Sequence, residues 1–306
     1  IVSIYFFVVI IKMLILFLVD RHDDRHNDRH NDRYNDRHNN IICNYIIMRK
    51  VIVFDLDETL GHFVQLSEYD MILANMYNKY LSKDQFYKVM ELFPNILRPG
   101  ILDIMKMIKK EKEKQKEKIK VMIYTNNTGC KMWVHRLKGF IEKKINYKIF
   151  DRVICGWKHD GKIIEPNRSG YFKTYTDLLK CGHLSKKDKI LFLDDRIHKG
   201  MLHKNISYLR VTPYRYGIPK NEFLTKYNSI TSLKEHQQKM LREEVSTMRC
   251  NYTKSTNLKL YQQTGKKIKR HIEIFLKKNE STERSKHLKK TKKHVKRHRK
   301  NKTTKR

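Results

Sequence analysis

Two aspartates spaced by one residue, Asp55 and Asp57, stand in the segment Asp55-Leu56-Asp57-Glu58-Thr59-Leu60, directly after the apolar run 50–54 (KVIVF). A second apolar run, 121–124, is followed by Thr125-Asn126-Asn127, and a third, 190–193, by Asp194-Asp195-Arg196. If the three runs are neighbouring strands of one parallel sheet, four carboxylates and a hydroxyl meet at its carboxyl edge, where open α/β sheets bind ligands. Like charges a few ångströms apart repel strongly in a partly desolvated cleft, so such a cluster needs a cation. Oxygen-only ligands suit a hard ion such as Mg²⁺, which takes one or two protein carboxylates and a phosphate oxygen. Helix capping would account for acids at one strand end. It does not account for acids at two strand ends with a threonine at a third.

The elements that must position these residues are legible as an alternation. The pattern predicts a helix over 71–93, with Ser82 and Gln85 as a capping box and Phe86, Val89, Met90 and Phe93 on one face, ended at Pro94. Arg98-Pro99-Gly100 starts the next helix, where Ile101, Ile104, Met105 and Ile108 recur at helical spacing before the charged 109–118 stretch. A helix over 131–141 follows the second strand. Two short strands are expected in 149–164 around the turn pair Asp160-Gly161, and a further strand over 208–211. Buried strands alternating with helices imply a Rossmann-like, mostly parallel sheet flanked by helices.

With these motifs in order, the chain resembles the haloacid dehalogenase-like (HAD) phosphatase superfamily. The resemblance rests on the DLDETL segment with Gly61-His62-Phe63, the LRPG segment Leu97–Gly100, the YTNN run and the FLDDR run. Within the superfamily it is most similar to the branch of RNA polymerase C-terminal-domain phosphatases and NLI-interacting-factor-like proteins, over roughly residues 48–215. The resemblance implies a Mg²⁺-dependent phosphatase with Asp55 as nucleophile, passing through an aspartyl-phosphate. Asp57 would be the general acid and then base, its carbonyl a metal ligand. Thr125 and the Asn126 backbone would hold the phosphoryl group. A lysine preceding the last acidic motif is implied too, and Lys173 fits that place, with Lys180 and Lys158 as alternatives. Asp194 and Asp195 complete the site, Asp195 being favoured as a direct metal ligand. The sequence departs from the branch in carrying Asp194-Asp195 where Asp-Asn is usual, and in a helical insertion, 64–97, between the first two motifs.

Composition bounds the rest. The 306 residues hold 67 Lys and Arg against 32 Asp and Glu, a formal charge of +35. Attraction to nucleic acid or another polyanion is the default expectation. The five cysteines, Cys43, Cys130, Cys155, Cys181 and Cys250, include no CxxC pair, which argues against disulfides and thiolate zinc and for an intracellular, nuclear or cytoplasmic setting. Cys130 lies near a helix start, a setting that lowers thiol pKa values, but nothing else marks it as a nucleophile.

Residues 1–19 are almost wholly apolar, barely long enough to span a bilayer, and lack the features of a signal peptide. A tetrapeptide repeat of the DRHN type fills 20–39 and has no apolar face to bury. A membrane anchor with a metal-binding spacer is one reading of 1–47. The favoured one is a stretch that is disordered or not part of the native protein, with Met48 opening the folded part, so that no membrane association is expected unless 1–19 is a genuine anchor.

The folded domain is therefore expected over 48–225, with a helical linker over 226–265 in which Ser232 to Glu235 caps a helix over 233–245. Residues 266–306 hold 19 Lys or Arg against three Glu and are expected to form a disordered basic tail, a nuclear-import signal or a generic electrostatic arm. His62 is expected to be packed or solvent-facing, His135 is left without a role, and Trp133 and Trp157 are expected in the core or cap. Three functions compete: a phosphatase acting on phosphoserine or phosphothreonine protein, which is preferred; one acting on nucleic-acid ends or small phosphate esters; and a non-enzymatic polyanion-binding protein.

Overall fold

A computed structural model describes residues 48–115, 118–129, 131–248 and 257–277. The region 1–47, Cys130 and the segment 278–306 lie outside the described residues, and so do the expectations attached to them. The described residues belong to one compact unit.

Its centre is a five-stranded, wholly parallel sheet. The strands β1 (Lys50–Phe54), β2 (Ile119–Tyr124), β3 (Arg152–Ile154), β6 (Lys189–Asp194) and β7 (Ile206–Arg210) lie in the order β3-β2-β1-β6-β7. The order reverses around β1, so the crevice beside its carboxyl end is the switch point of the fold. Register places Phe54 level with Ile123 on one side and Leu193 on the other. Residues just beyond these three positions therefore emerge side by side.

Both faces of the sheet are buried, as the unbroken apolar runs demand. Ile52, Phe54, Val121, Ile123, Leu191 and Leu193 point into the larger core. The alternate residues Val51, Val53, Met122, Tyr124, Ile190 and Phe192 point into a smaller one. The smaller core is closed by α5 (Tyr175–Gly182) through Leu178 and Cys181. On the larger lie α1 (Val64–Tyr77), α2 (Lys83–Leu92), α3 (Ile101–Lys114), α4 (Lys131–Ile145), α6 (Lys220–Ser229), α7 (Glu235–Thr247) and α8 (Leu258–Lys277). The hairpin β4 (Lys158–His159)–β5 (Lys162–Ile163) stands apart. Its turn is Asp160-Gly161, both at positive φ (47° and 75°), as a type I′ turn requires.

The helical insertion is two helices rather than one. Asn78 ends α1 in the left-handed conformation, and Ser82 then opens α2 with both bonds of the expected capping box. A buried two-pronged ion pair ties α1 to α4: Arg136 Nη1 and Nη2 donate to Asp70 Oδ2 and Oδ1 at 2.9 and 3.0 Å. The Arg136 guanidinium also lies 3.8 Å from the Phe86 ring centroid, which brings in α2.

Three boundaries differ from expectation. The cap at Ser232 does not form; the helix starts at Glu235, and Gln237 Oε1 accepts from the Lys234 backbone N–H instead. Residue 225 is no domain limit, since it lies within α6, and Leu241 and Val245 of α7 enter the main core. Residues 266–277 do not belong to a disordered tail but to α8, whose Tyr261, Ile268, Ile272 and Leu276 are buried. Helical spacing gathers these scattered apolar residues into a stripe that composition alone dilutes among lysines. At Gly265 the helix comes so close to the Pro99 carbonyl that a Cβ would clash with it.

Candidate active site

Asp55 follows β1 and is held in line by its backbone N–H, which donates to Leu193 O at 2.8 Å. Lys173, in the loop before α5, is buried and reaches it from the smaller core. Its Nζ donates to Asp55 Oδ1 at 2.5 Å and to Asp194 Oδ2 at 2.7 Å. Of the candidate cations this one alone is in the cluster; Lys180 lies on α5, and Lys158 stacks over Trp157 on the hairpin at 4.1 Å. Asp194 is further held by His198 Nε2 at 3.2 Å and by the Arg196 backbone N–H at 2.8 Å.

Oxygens of Asp55, Asp194 and Asp195 lie within 4.8 Å of one another, all three residues buried. Burial pushes the Asp195 carboxyl up to about 6, and the charges of Asp55 and Asp194 push the same way. Burial likewise raises Asp55 in spite of Lys173. For Asp194 burial is outweighed by His198, Lys173 and the Arg196 N–H, and its carboxyl sits below the usual range. One lysine thus falls short of neutralising three acids. The deficit, with an all-oxygen donor set, fits a hard divalent cation such as Mg²⁺.

Asp57 stands on the other side of the 55–60 loop. Its Oδ2 accepts from Asn127 Nδ2 at 2.9 Å, while buried Oδ1 has no partner among the described residues. Burial pushes its carboxyl up to about 6 against the Asn127 hydrogen bond, closer to neutrality than an ordinary aspartate and suited to both giving and taking a proton. Beside it a recess of about 180 Å³ is lined by Ser67, Asp70, Met71 and Tyr80 of the insertion and by Asn127, Met132, Trp133 and Arg136.

Thr125 Oγ1 accepts from Asn127 N at 3.0 Å, which closes a tight turn after β2. The turn is anchored by Arg168, a buried residue without an assigned role in the sequence. Its Nη1 donates to the carbonyls of Thr125 and Cys155, and its Nη2 to Asn126 Oδ1 and the Tyr171 carbonyl, all within 3.1 Å. Arg168 therefore joins the threonine turn to the loop that delivers Lys173.

Arg98 does the same for the 55–60 loop. Glu58 adopts φ 58°, a strained conformation for a residue with a side chain. The Arg98 guanidinium, 1% exposed, holds that bend by donating to the carbonyls of Thr59 (2.6 Å), Glu58 (2.5 Å) and Thr212 (2.8 Å). Burial pulls its pKa down to about 10, still charged at neutral pH. We expect Arg98→Met to lower unfolding free energy by about 3 kcal/mol, because three carbonyls lose a cationic donor in a buried site. Urea denaturation measures this, and an unchanged midpoint would mean that the loop keeps its bend without the clamp.

Of the residues singled out in the sequence, Asp55, Lys173, Asp194 and Asp195 form one cluster, and Asp57 is joined through Asn127 to the turn that carries Thr125 and Asn126. Sequence reasoning gave no role to Asn127, Arg168, Arg98 or His198, although two of them stand in motifs it quoted. His62 is buried in the core on Tyr216, its Nδ1 2.7 Å from the Tyr216 carbonyl. Trp133 is buried edge-on to Phe86, and Trp157 packs on Tyr171. His135 is exposed on α4. Cys155 and Cys181 are buried.

Among the described residues, no helix is long and apolar enough to cross a membrane. No curated protein matches the chain. Similar solved structures include the fission yeast RNA polymerase II CTD phosphatase Fcp1, an arginine-to-alanine variant bound to beryllium fluoride. It is 17% identical over 81% of this chain and 69% of that one, with a TM-score of 0.35. Another is a HAD-superfamily hydrolase, subfamily IA, variant 1, from Geobacter sulfurreducens, 15% identical over 48% of this chain and 79% of that one, TM-score 0.24. The NLI interacting factor-like phosphatase model matches residues 50–246, nearly all of the sheet and the helices around it. By that match the chain belongs to the NLI interacting factor-like phosphatases, within the HAD-like superfamily.

Proposed function

We propose that this phosphatase hydrolyses its phosphate monoester in two steps through Asp55, with Mg²⁺ as cofactor. The arrangement that carries the reading is Lys173 bridging Asp55 and Asp194, with Asp195 alongside and Asp57 across the loop. Asp55, Asp195 and the carbonyl of Asp57 would hold the ion. When bound, it withdraws charge from the phosphoryl oxygens and keeps the Asp55 carboxylate ionised for attack.

The chain's own groups supply the rest. An Asp55 oxygen attacks phosphorus while the bond to the leaving oxygen breaks, and the protonated form of Asp57, made more accessible by its raised pKa, donates its proton to that oxygen. Water then attacks the aspartyl-phosphate, Asp57 taking the proton, and phosphate leaves. Lys173 and the Thr125 hydroxyl would hold the phosphoryl oxygens. Asn127 fixes the Asp57 carboxyl toward the leaving group.

The leaving side of the ester faces the recess beside Asp57 and Asn127. Its walls of Met71, Tyr80, Met132 and Trp133 suit a bulky partner to the phosphate, and we favour a phosphoserine or phosphothreonine protein over a small ester. Comparing turnover of a phosphoserine peptide, a 3′-phosphorylated oligonucleotide and an aryl phosphate tests this. The peptide should have the highest kcat/KM; a higher value for the oligonucleotide would move the substrate class.

Removal of divalent ions gives a second test of the same site. Chelation should abolish phosphate release from all three substrates, and Mg²⁺ should restore it. Ca²⁺ should restore it poorly, because its larger and looser shell does not hold the phosphoryl group in line. Full turnover in chelator would remove the cation from the mechanism.

A further inference from the structure

The helix α8 has two faces of opposite character. Its buried residues, among them Tyr261, Ile268, Ile272 and Leu276, line one side. Lys259, Lys266, Arg270 and Lys277 are exposed on the other, and at 100° per residue they fall within about 40° of arc. Lys267 and Lys269, also exposed, flank the line, and the helix carries one acidic residue, Glu273. From Lys259 to Lys277 the line is about 27 Å long at helical rise.

Its placement is specific. Near the start of α8, Tyr261 packs on Tyr214 with ring centroids 4.7 Å apart, and Tyr214 N donates to the Glu58 carbonyl in the nucleophile loop. At the far end the Leu276 carbonyl accepts from Lys50 Nζ, at the beginning of β1. The helix thus runs from the catalytic rim to the opposite edge of the sheet. Beyond it the sequence continues with 14 Lys or Arg against two Glu over residues 278–306.

We propose that the outward face of α8 docks the phosphate backbone of duplex nucleic acid. A straight row of like charges is unfavourable alone and is offset by a row of phosphates; a duplex offers one charge per about 1.7 Å and stays straight over this length. Single strands gain much of their affinity by stacking on aromatic side chains. The outward face carries none, since Tyr261 is buried and Phe275 half-buried on the packed side. Recognition is by backbone and not by sequence. The proposal stands independently of the reading of the active site.

The test uses the full chain with Lys259, Lys266, Arg270 and Lys277 all changed to Gln. A charge-matched control changes Lys148, Lys186, Lys187 and Lys189, which are exposed elsewhere. Glutamine is a good helix former, so α8 should persist. Fluorescence anisotropy with a labelled 20-base-pair duplex is followed from 50 to 300 mM salt. Each phosphate contact contributes about 0.9 to the log–log slope, so the α8 variant should lose about three to four units of slope. The control should lose less than one. The unaltered protein should bind duplex more tightly than a single strand of equal length. Equal losses in the two variants, no change in the α8 variant, or preference for the single strand would each overturn the proposal. So would loss of binding to phosphatidylserine vesicles with duplex binding intact.

Discussion

Asp55→Asn should leave the fold in place and reduce phosphate release by about 10⁴-fold or more, to the level that positioning alone sustains. The amide keeps the shape of the carboxylate but cannot supply the attacking oxygen. Asp55 is also one of three buried acids crowded within 4.8 Å, so its neutralisation relieves repulsion. Stability in metal-free buffer should therefore hold or rise while turnover collapses. This opposition separates a lost nucleophile from a damaged fold. Retention of more than a tenth of activity would require another group to attack phosphorus.

Lys173→Met is expected to be the most damaging single change to stability. The ammonium is 2% exposed and bonded to both Asp55 and Asp194. Its removal leaves two buried carboxylates without their shared counter-charge. Breaking a buried pair by deleting one partner costs about 3–5 kcal/mol. Methionine nearly fills the space, so the loss is electrostatic more than a matter of packing. Part of it should return on adding Mg²⁺, because an ion that binds only the folded protein stabilises by mass action. Turnover should fall by about 10²–10³-fold even at saturating Mg²⁺, since a charge aimed at the phosphoryl oxygens is gone. Urea midpoints with and without Mg²⁺, beside kcat, measure both effects. An unchanged midpoint would show that Asp55 and Asp194 do not depend on the lysine.

The sheet and its acidic rim were legible because they depend on short-range signals. Each apolar run is a strand buried on both faces, and each is followed at once by the residues it delivers. The Asp160-Gly161 turn and the Ser82–Gln85 cap were local in the same way. What escaped was joined across the chain. Arg98 lies 39, 40 and 114 residues from the carbonyls it binds, and Asn127 lies 70 residues from Asp57. No periodicity announces such pairs. Strand β3 is only three residues long at the edge of the sheet and merged with the hairpin region in the pattern. The break between α1 and α2 depends on one left-handed residue, Asn78, inside an otherwise continuous helical pattern. In α8 the buried apolar residues are few and spaced by helical turns, and the lysines between them dominate any average over a window.

The central claim is that Asp55 carries the phosphoryl group in transit. Acid-quenching the phosphatase during turnover in Mg²⁺, reducing with borohydride and mapping peptides by mass spectrometry reads this directly. Reduction of an aspartyl-phosphate gives homoserine, and the mechanism predicts it at position 55 alone. Homoserine at 57, 194 or 195, or at no aspartate during full turnover, would contradict it.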